Sequence, residues 1–225
     1  MGITSKKREE DTTMNNTFHI PSIGTKEMVI TISGDGTLIL NKMNDVTTRQ
    51  LTDKQSNKAK DTTAPNPWEA IITSMHWLNG KPTDFSESGL REALTHNAPC
   101  ISAFALKKSF GDSVVRNEID KYKTKFDANV NIIAKNNLIP ITFAEHWLDT
   151  KLIPAKKGCP VLSTQNCFSG WKATFTVQFR DNVYSAEQIA SIINLAGFGL
   201  GIGSGRSSGF GRYHIESIEL MQDGL

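Results

Sequence analysis

Arginine, serine and glycine crowd together near the C-terminus, and the chemistry of that cluster sets the first expectations. The run GFGLGIGSGRSSGFGRY covers residues 197–213, with glycine at 197, 199, 201, 203, 205, 209 and 211. Such density implies backbone conformations that side chains forbid, and a main chain that another group approaches closely. Amides at Gly203, Gly205 and Gly209, set beside Arg206 and Arg212, suit anionic oxygens. The amides donate hydrogen bonds and the guanidinium forks pair with phosphate. Ser204, Ser207 and Ser208 add hydroxyls, while Phe210 and Tyr213 offer rings on which bases stack. No Gly-Lys-Ser/Thr follows, so this is not a Walker phosphate loop. A dinucleotide fingerprint follows a strand and opens a helix; this run does the reverse. A turn without a ligand is the plainer alternative.

Histidine is the other residue type that bears on RNA chemistry. Near neutral pH it takes a proton from a 2′-hydroxyl or gives one to a leaving oxygen. The five are His19, His76, His96, His146 and His214. His19 falls in the N-terminal leader. His76 and His146 each precede a tryptophan on expected strands, where a structural histidine is the commoner case. His96, in a loop before Asn-Ala-Pro, is the leading catalytic candidate, with His76 second. His214, on the last strand, reads as a surface residue or an RNA contact. Metal chemistry has no support, since neither HExxH nor an Asp-rich calcium loop occurs. Cys100, Cys159 and Cys167 are odd in number and lack CxxC spacing, which argues against a zinc site or a disulfide framework. A reducing cytoplasm, and no cofactor, is the expectation.

The elements that must position these groups follow from periodicity. Residues 1–25 read as a flexible leader, and 26–225 as a single domain. Met28, Ile30 and Ile32 alternate with Val29, Thr31 and Ser33, a strand that turns at Gly34-Asp35-Gly36. The stretch 41–66 is polar and free of aromatics. It reads as a solvated loop, or as an arm in which Arg49, Lys54, Lys58 and Lys60 touch a nucleic-acid backbone. Trp68 to Leu78, closed by Asn79-Gly80, reads as a strand. Ser86 caps a short helix. Pro99 to Ile119 predicts a longer one, with Phe104 among its regularly spaced apolar residues and Ser102 a possible cap. Strands are expected at 129–134 and within 139–153, and a basic turn at 155–160.

Trp171 to Arg180 is the clearest strand, with Ala173, Phe175, Val177 and Phe179 on one face. Ser185 caps the next helix, with Gln188 in capping-box position. The glycine run follows, and Arg212 to Leu220 closes the chain as a strand.

Lys107, Lys108 and Arg116 on the longer helix form either a solvated face or, together with Arg206 and Arg212, one phosphate track. Net charge is only +2 over 225 residues, which excludes a bulk polycation but not a local basic face. No apolar run is long enough to span a membrane.

The segment NLAGFGLGIGSGRSSGFGRYHIESIEL, 194–220, resembles the C-terminal glycine-rich loop and last strand of the RAMP superfamily of CRISPR systems. PCISAFALKKSF, from Pro99, resembles the segment leading into the first helix of those proteins. The resemblance implies an α+β, ferredoxin-like (RRM-like) antiparallel sheet with helices on one face. Its first helix would be Ile101–Ile119 and its second strand Trp147–Ile153. Insertions would lie at 41–98 and 120–146. The resemblance also implies binding of single-stranded RNA, and homo-oligomers assembled side by side along it. The loop residues Gly203 to Phe210, with Arg212, Tyr213, Lys107 and Lys108, would make the contact. The leading expectation is RNA binding without cleavage. A metal-independent endoribonuclease of the repeat-processing type is the second. A protein-interaction module is the third, and a phage-encoded member in an infected bacterial cell fits any of them.

Overall fold

The computed structural model describes residues 24–56, 58, 64–153 and 161–221. The leader up to residue 23, His19, Lys60, Cys159 and the basic turn at 155–160 lie outside the described residues.

Alternation builds the central sheet as expected. Strand β1 (Lys26–Gly34) buries Met28, Ile30 and Ile32, and β9 (Lys172–Phe179) buries Ala173, Phe175, Val177 and Phe179. The two pair antiparallel with Ile30 opposite Phe175, so their apolar faces coincide. On the other side of β1 lies β10 (Tyr213–Leu220), with a register shift between Thr31 and Ile32. The free side of β9 is shared. Its C-terminal half takes β5 (Val130–Ile133) and its N-terminal end takes β6 (Leu138–Thr142). Beyond β6 come β4 (Pro99–Ser102) and β3 (His76–Trp77).

Two helices cover the buried face. Helix α4 (Ala103–Arg116) contributes Leu106, Phe110 and Val114, and α6 (Ala186–Gly199) contributes Ile189, Ile192 and Ile193. They pack against each other, and the Phe110 and Phe175 rings lie 6.1 Å apart. Strand, helix, strand, strand, helix, strand in chain order becomes β10-β1-β9-β5 in space. That is the ferredoxin-like β-α-β-β-α-β arrangement, with its helices on one face.

A second, three-stranded sheet orders β2 (Leu38–Leu40), β8 (Val161–Ser169) and β7 (Glu145–Ile153). It corrects one expectation. Trp147–Ile153 belongs to this sheet and is not the second core strand. β5 holds that place, because its Val130 and Ile132 run opposite Phe179 and Val177.

Three further elements differ from their expected types. Within 41–66 there is a helix, α1 (Asp45–Gln55), although it buries only Val46. Asn44 caps it by accepting from the Thr47 amide, and Arg49 grips Glu69 through two bonds of 2.6 and 2.8 Å. End contacts and a bidentate ion pair hold this helix where apolar periodicity is lacking. The strand expected from Trp68 is helix α2 (Pro67–Thr73), followed by β3. Asn66 as cap and Pro67 in the first turn are the start signal that outweighs the later Asn-Gly turn. The helix expected from Pro99 starts at Ala103, since Ser102 is its cap and the four residues before it are β4.

The third expected helix, α3 (Glu87–His96), stands, with the Ser86 hydroxyl accepting from the Gly89 amide. A six-residue helix, α5 (Thr124–Asn129), leads into β5. Among the described residues no helix is long and apolar enough to cross a membrane.

Candidate nucleic-acid interface

The glycine run is a folded structure in its own right. At Gly201, Gly203, Gly205, Gly209 and Gly211 φ lies between +68° and +88°, a region that L side chains rarely adopt. Close approach adds a second constraint. A Cβ on Gly211 would sit 1.8 Å from the Ile202 carbonyl oxygen, and one on Gly203 would sit 2.5 Å from that of Ile39. The loop hydrogen-bonds to itself through Ile202 N to Gly211 O, at 2.9 Å. It is tied to the β1–β2 segment through Ser204 N to Ile39 O and Gly211 N to Thr37 O, at 2.9 and 2.8 Å. Of the three amides expected to meet a ligand, that of Gly209 is spent on the Arg206 carbonyl, at 3.1 Å. Gly203, Gly205, Arg206 and Ser207 keep theirs without an intramolecular partner among the described residues.

Beside the loop runs a groove of about 400 Å³. Its walls are the end of β2 with Lys42, β3 with His76, the first turns of α4 with Ser102, Phe104 and Lys108, and the loop with Gly203, Ser204 and Arg206. Three cationic side chains line it and no carboxylate does. Lys42, Lys108 and Arg206 make no ion pair among the described residues, so their charge is available to a ligand (compare Lys81, held by Asp45 at 2.6 Å). Phe104 stands at the wall with 73% of its surface exposed. A bare phenyl ring beside cationic side chains has a free face on which another planar ring can stack.

Helical phase sets Phe104 apart from the other apolar residues of its helix. The buried stripe of α4 runs Leu106, Phe110, Val114, at intervals of four, and Phe104 falls off it. Ser102 as cap places Phe104 in the first turn, at the end of the sheet where the loop returns.

The same phase separates the two lysines. Lys108 lines the groove. Lys107 points away, its Nζ donating to the Asp127 carbonyl and to Asn131 Oδ1, both at 2.9 Å. It ties α4 to α5 and β5 and is not a groove residue.

Other expected contacts also move. Tyr213 is 1% exposed and meets Trp171 edge-on, with centroids 6.3 Å apart, so it is core and cannot stack on a base. Phe210 folds back over Gly205, where a Cβ would lie 2.8 Å from its ring. Ser207 and Arg212 face a second cavity behind the loop together with Arg206. Ser208 and Gly209 lie on the exposed turn between Arg206 and Phe210 and line neither cavity. Arg49, bonded to Glu69, is not free for a nucleic-acid backbone.

The histidines sort by burial and partner. His76 is half-buried in the groove wall. Burial first, and Lys42 second, hold its pKa below the usual value, so its imidazole is neutral at pH 7. His96 is exposed in the last turn of α3 and does not line the groove, which removes its expected place beside the basic helix. His146 packs on Phe168 and its Nε2 donates to Asn166 Oδ1 at 3.0 Å, a structural role. His214 pairs with Asp35 through Nδ1 at 2.5 Å on the surface. Cys100 also lines the groove, but burial pushes its thiol up to about 11, which keeps it protonated. Among the described residues no cluster of three or more His, Cys, Asp or Glu is placed to hold a metal ion.

No family model matches the sequence, and no curated protein does. Solved structures do. A Type III-B Cmr-beta complex bound to cognate target RNA, seen by cryo-EM, contains a chain with 12% identity and a TM-score of 0.49. The match covers 89% of this chain and 62% of that one, so the present chain spans less than two thirds of its length. The crystal structure of Cmr6 from Pyrococcus furiosus matches with 10% identity and a TM-score of 0.38, over 86% of this chain and 100% of that one. The likeness is one of fold.

Proposed function

We propose that the chain binds single-stranded RNA in the groove between the glycine loop and the first turn of α4, without cutting it. One observation carries the reading: Lys42, Lys108 and Arg206 converge on a cavity that has no acidic side chain. Anionic oxygens are the chemistry such a wall selects. The free amides at Gly203 and Gly205 add donors that carry no sequence preference. The groove is of small-ligand size, room for an unpaired nucleotide rather than a duplex. Phe104 would stack on the base. RNA rather than DNA, a bacterial or phage-infected cytoplasm, and side-by-side assembly along the strand rest on the resemblance of segment 194–220.

The test is binding of a labelled mixed-sequence RNA at two salt concentrations, in EDTA, for the natural chain and for the triple variant Lys42→Ala/Lys108→Ala/Arg206→Ala. Binding by the natural chain should fall with salt, and the variant should lose roughly 0.7 of a unit of log–log slope per removed phosphate contact. Equal affinity and equal slope for both proteins would remove the groove from the reading.

His76 favours a second reading. A neutral imidazole beside Lys42 in a phosphate-binding groove has the parts for metal-independent RNA cleavage, with His76 as base and Lys42 steadying the developing charge. Running the same RNA on a denaturing gel decides it. Shortened RNA that disappears with His76→Ala supports a nuclease; intact RNA supports binding alone.

A further inference from the structure

Behind the glycine loop lies a second cavity, of about 390 Å³. Arg116 and Asp112 line it from α4, Arg212 from the residue before β10, and Arg206 and Ser207 from the turn between α6 and β10. Three arginines and one aspartate thus line it. That carboxylate is partly satisfied elsewhere, since Asp112 accepts from Lys123 Nζ at 3.4 Å. Arg206 and Arg212 make no ion pair among the described residues. The Nη1 of Arg212 is buried without a hydrogen-bond partner. A buried guanidinium nitrogen left without an acceptor is costly, and a small shift of the side chain toward an anionic oxygen held in the cavity would relieve the cost. Planar forks from separate elements match a tetrahedral oxyanion, and the Ser207 amide is free to donate as well.

We propose that this cavity is a phosphate-binding site, separate from the groove and joined to it by the shared Arg206. The ligand class is a phosphate carried on a polynucleotide. Its source is either a terminal monoester or a backbone diester of the strand held in the groove. A monoester carries more charge than a diester, and the three arginines favour it. The site rests on the RNA reading for its polymer but not for its anion chemistry.

The experiment measures binding of one RNA sequence made with a 5′-phosphate, with a 3′-phosphate, or with hydroxyls at both ends. The proteins are the natural chain, Arg116→Gln, Arg212→Gln and the groove variant Lys42→Ala/Lys108→Ala. A terminal phosphate in the cavity should tighten binding by about tenfold over the hydroxyl form, the scale of one charged hydrogen-bonded group. Arg116→Gln should abolish that difference, whereas the groove variant should weaken every form and keep it. Arg116 is exposed at the end of α4, so its variant folds even if Arg212→Gln does not. If all three RNAs bind alike and Arg116→Gln weakens all of them equally, the cavity holds a backbone diester. If Arg116→Gln and Arg212→Gln both bind every RNA as the natural chain does, the cavity is not a phosphate site. In that case a weakened groove variant leaves the RNA reading intact. Loss of the RNA reading would instead show as a groove variant that binds like the natural chain.

Discussion

Single atoms decide several of the roles in this protein. Tyr213 sits in the core with a hydroxyl that finds no partner among the described residues, and burial drives its pKa far upward. An unsatisfied buried hydroxyl costs about 1–3 kcal/mol. Tyr213→Phe should therefore leave the unfolding free energy unchanged or raise it, by denaturant titration. A clear loss would mean that the hydroxyl has a partner. The opposite outcome is expected at Gly211, where alanine would combine positive φ with a Cβ driven into the Ile202 carbonyl.

Histidine titration is the third atomic-scale matter. Burial lowers the pKa of His76, with Lys42 adding to it. Burial also lowers that of His146, against the upward pull of its bond to Asn166. An unfolded histidine titrates near about 6.5. Below that value the unfolded chain takes up protons that the folded chain refuses, so stability is full above it and is lost as pH falls toward the folded pKa. Denaturant midpoints at about pH 7.5 and 5.5 should differ in that direction, and His76→Gln/His146→Gln should shrink the difference. An undiminished difference would place the acid sensitivity elsewhere.

Elements translate those atoms into a site, and here the sequence was readable in part. Strands β1, β9 and β10 were legible because alternation and β-branched residues coincide. Helix α6 was legible because Ser185 and Gln188 form a capping box, which the structure contains in full. Helix α1 was not, because it buries one residue and is held by Asn44 and by the pair Arg49–Glu69, a contact 20 residues apart. Periodicity cannot report a long-range ion pair. The placement of the α4 lysines was half legible. Spacing located the helix but not its phase, so Lys107 and Lys108 looked equivalent and Phe104 was not told apart from the other apolar residues. Their separation makes a direct prediction. Lys108→Ala should weaken RNA binding about three- to tenfold at low salt, by removal of one phosphate contact. Lys107→Met should leave RNA affinity unchanged and lower stability by about 1–2 kcal/mol, through the lost ties to Asp127 and Asn131. Equal effects of the two on affinity would show that the helix presents both lysines to RNA.

At the scale of the whole molecule, the second sheet is what the sequence concealed most completely, because the neighbours β7 and β8 are joined there by β2 from a distant part of the chain. Its structural reason is visible at Asn166, which is fully buried on β8. The Asn166 Nδ2 donates to the Ile71 carbonyl and to Ser74 Oγ, at 3.0 and 3.1 Å, and Oδ1 accepts from His146. One side chain therefore joins β7, β8 and the end of α2. β8 in turn pairs with β2, and the Ile39 carbonyl of β2 receives the Ser204 amide of the glycine loop. Ser74 and His76, which follow α2, line the groove itself. A buried amide more than 30 residues before the loop in sequence thus sets the position of two groove walls. Asn166→Ala should lower the unfolding free energy by about 1–3 kcal/mol, since it leaves His146 Nε2 without its acceptor and leaves the Ile71 carbonyl and the Ser74 hydroxyl with only each other. It should also weaken RNA binding at a temperature where the variant is still folded, although Asn166 touches no groove residue other than Ser74 through a hydrogen bond. Circular dichroism at the binding temperature, run beside the RNA titration, separates the two effects. Reduced stability with unaltered affinity would show that β2 holds the loop without help from the second sheet. Reduced affinity in a fully folded variant would show that this sheet is part of the frame on which the proposed groove is built.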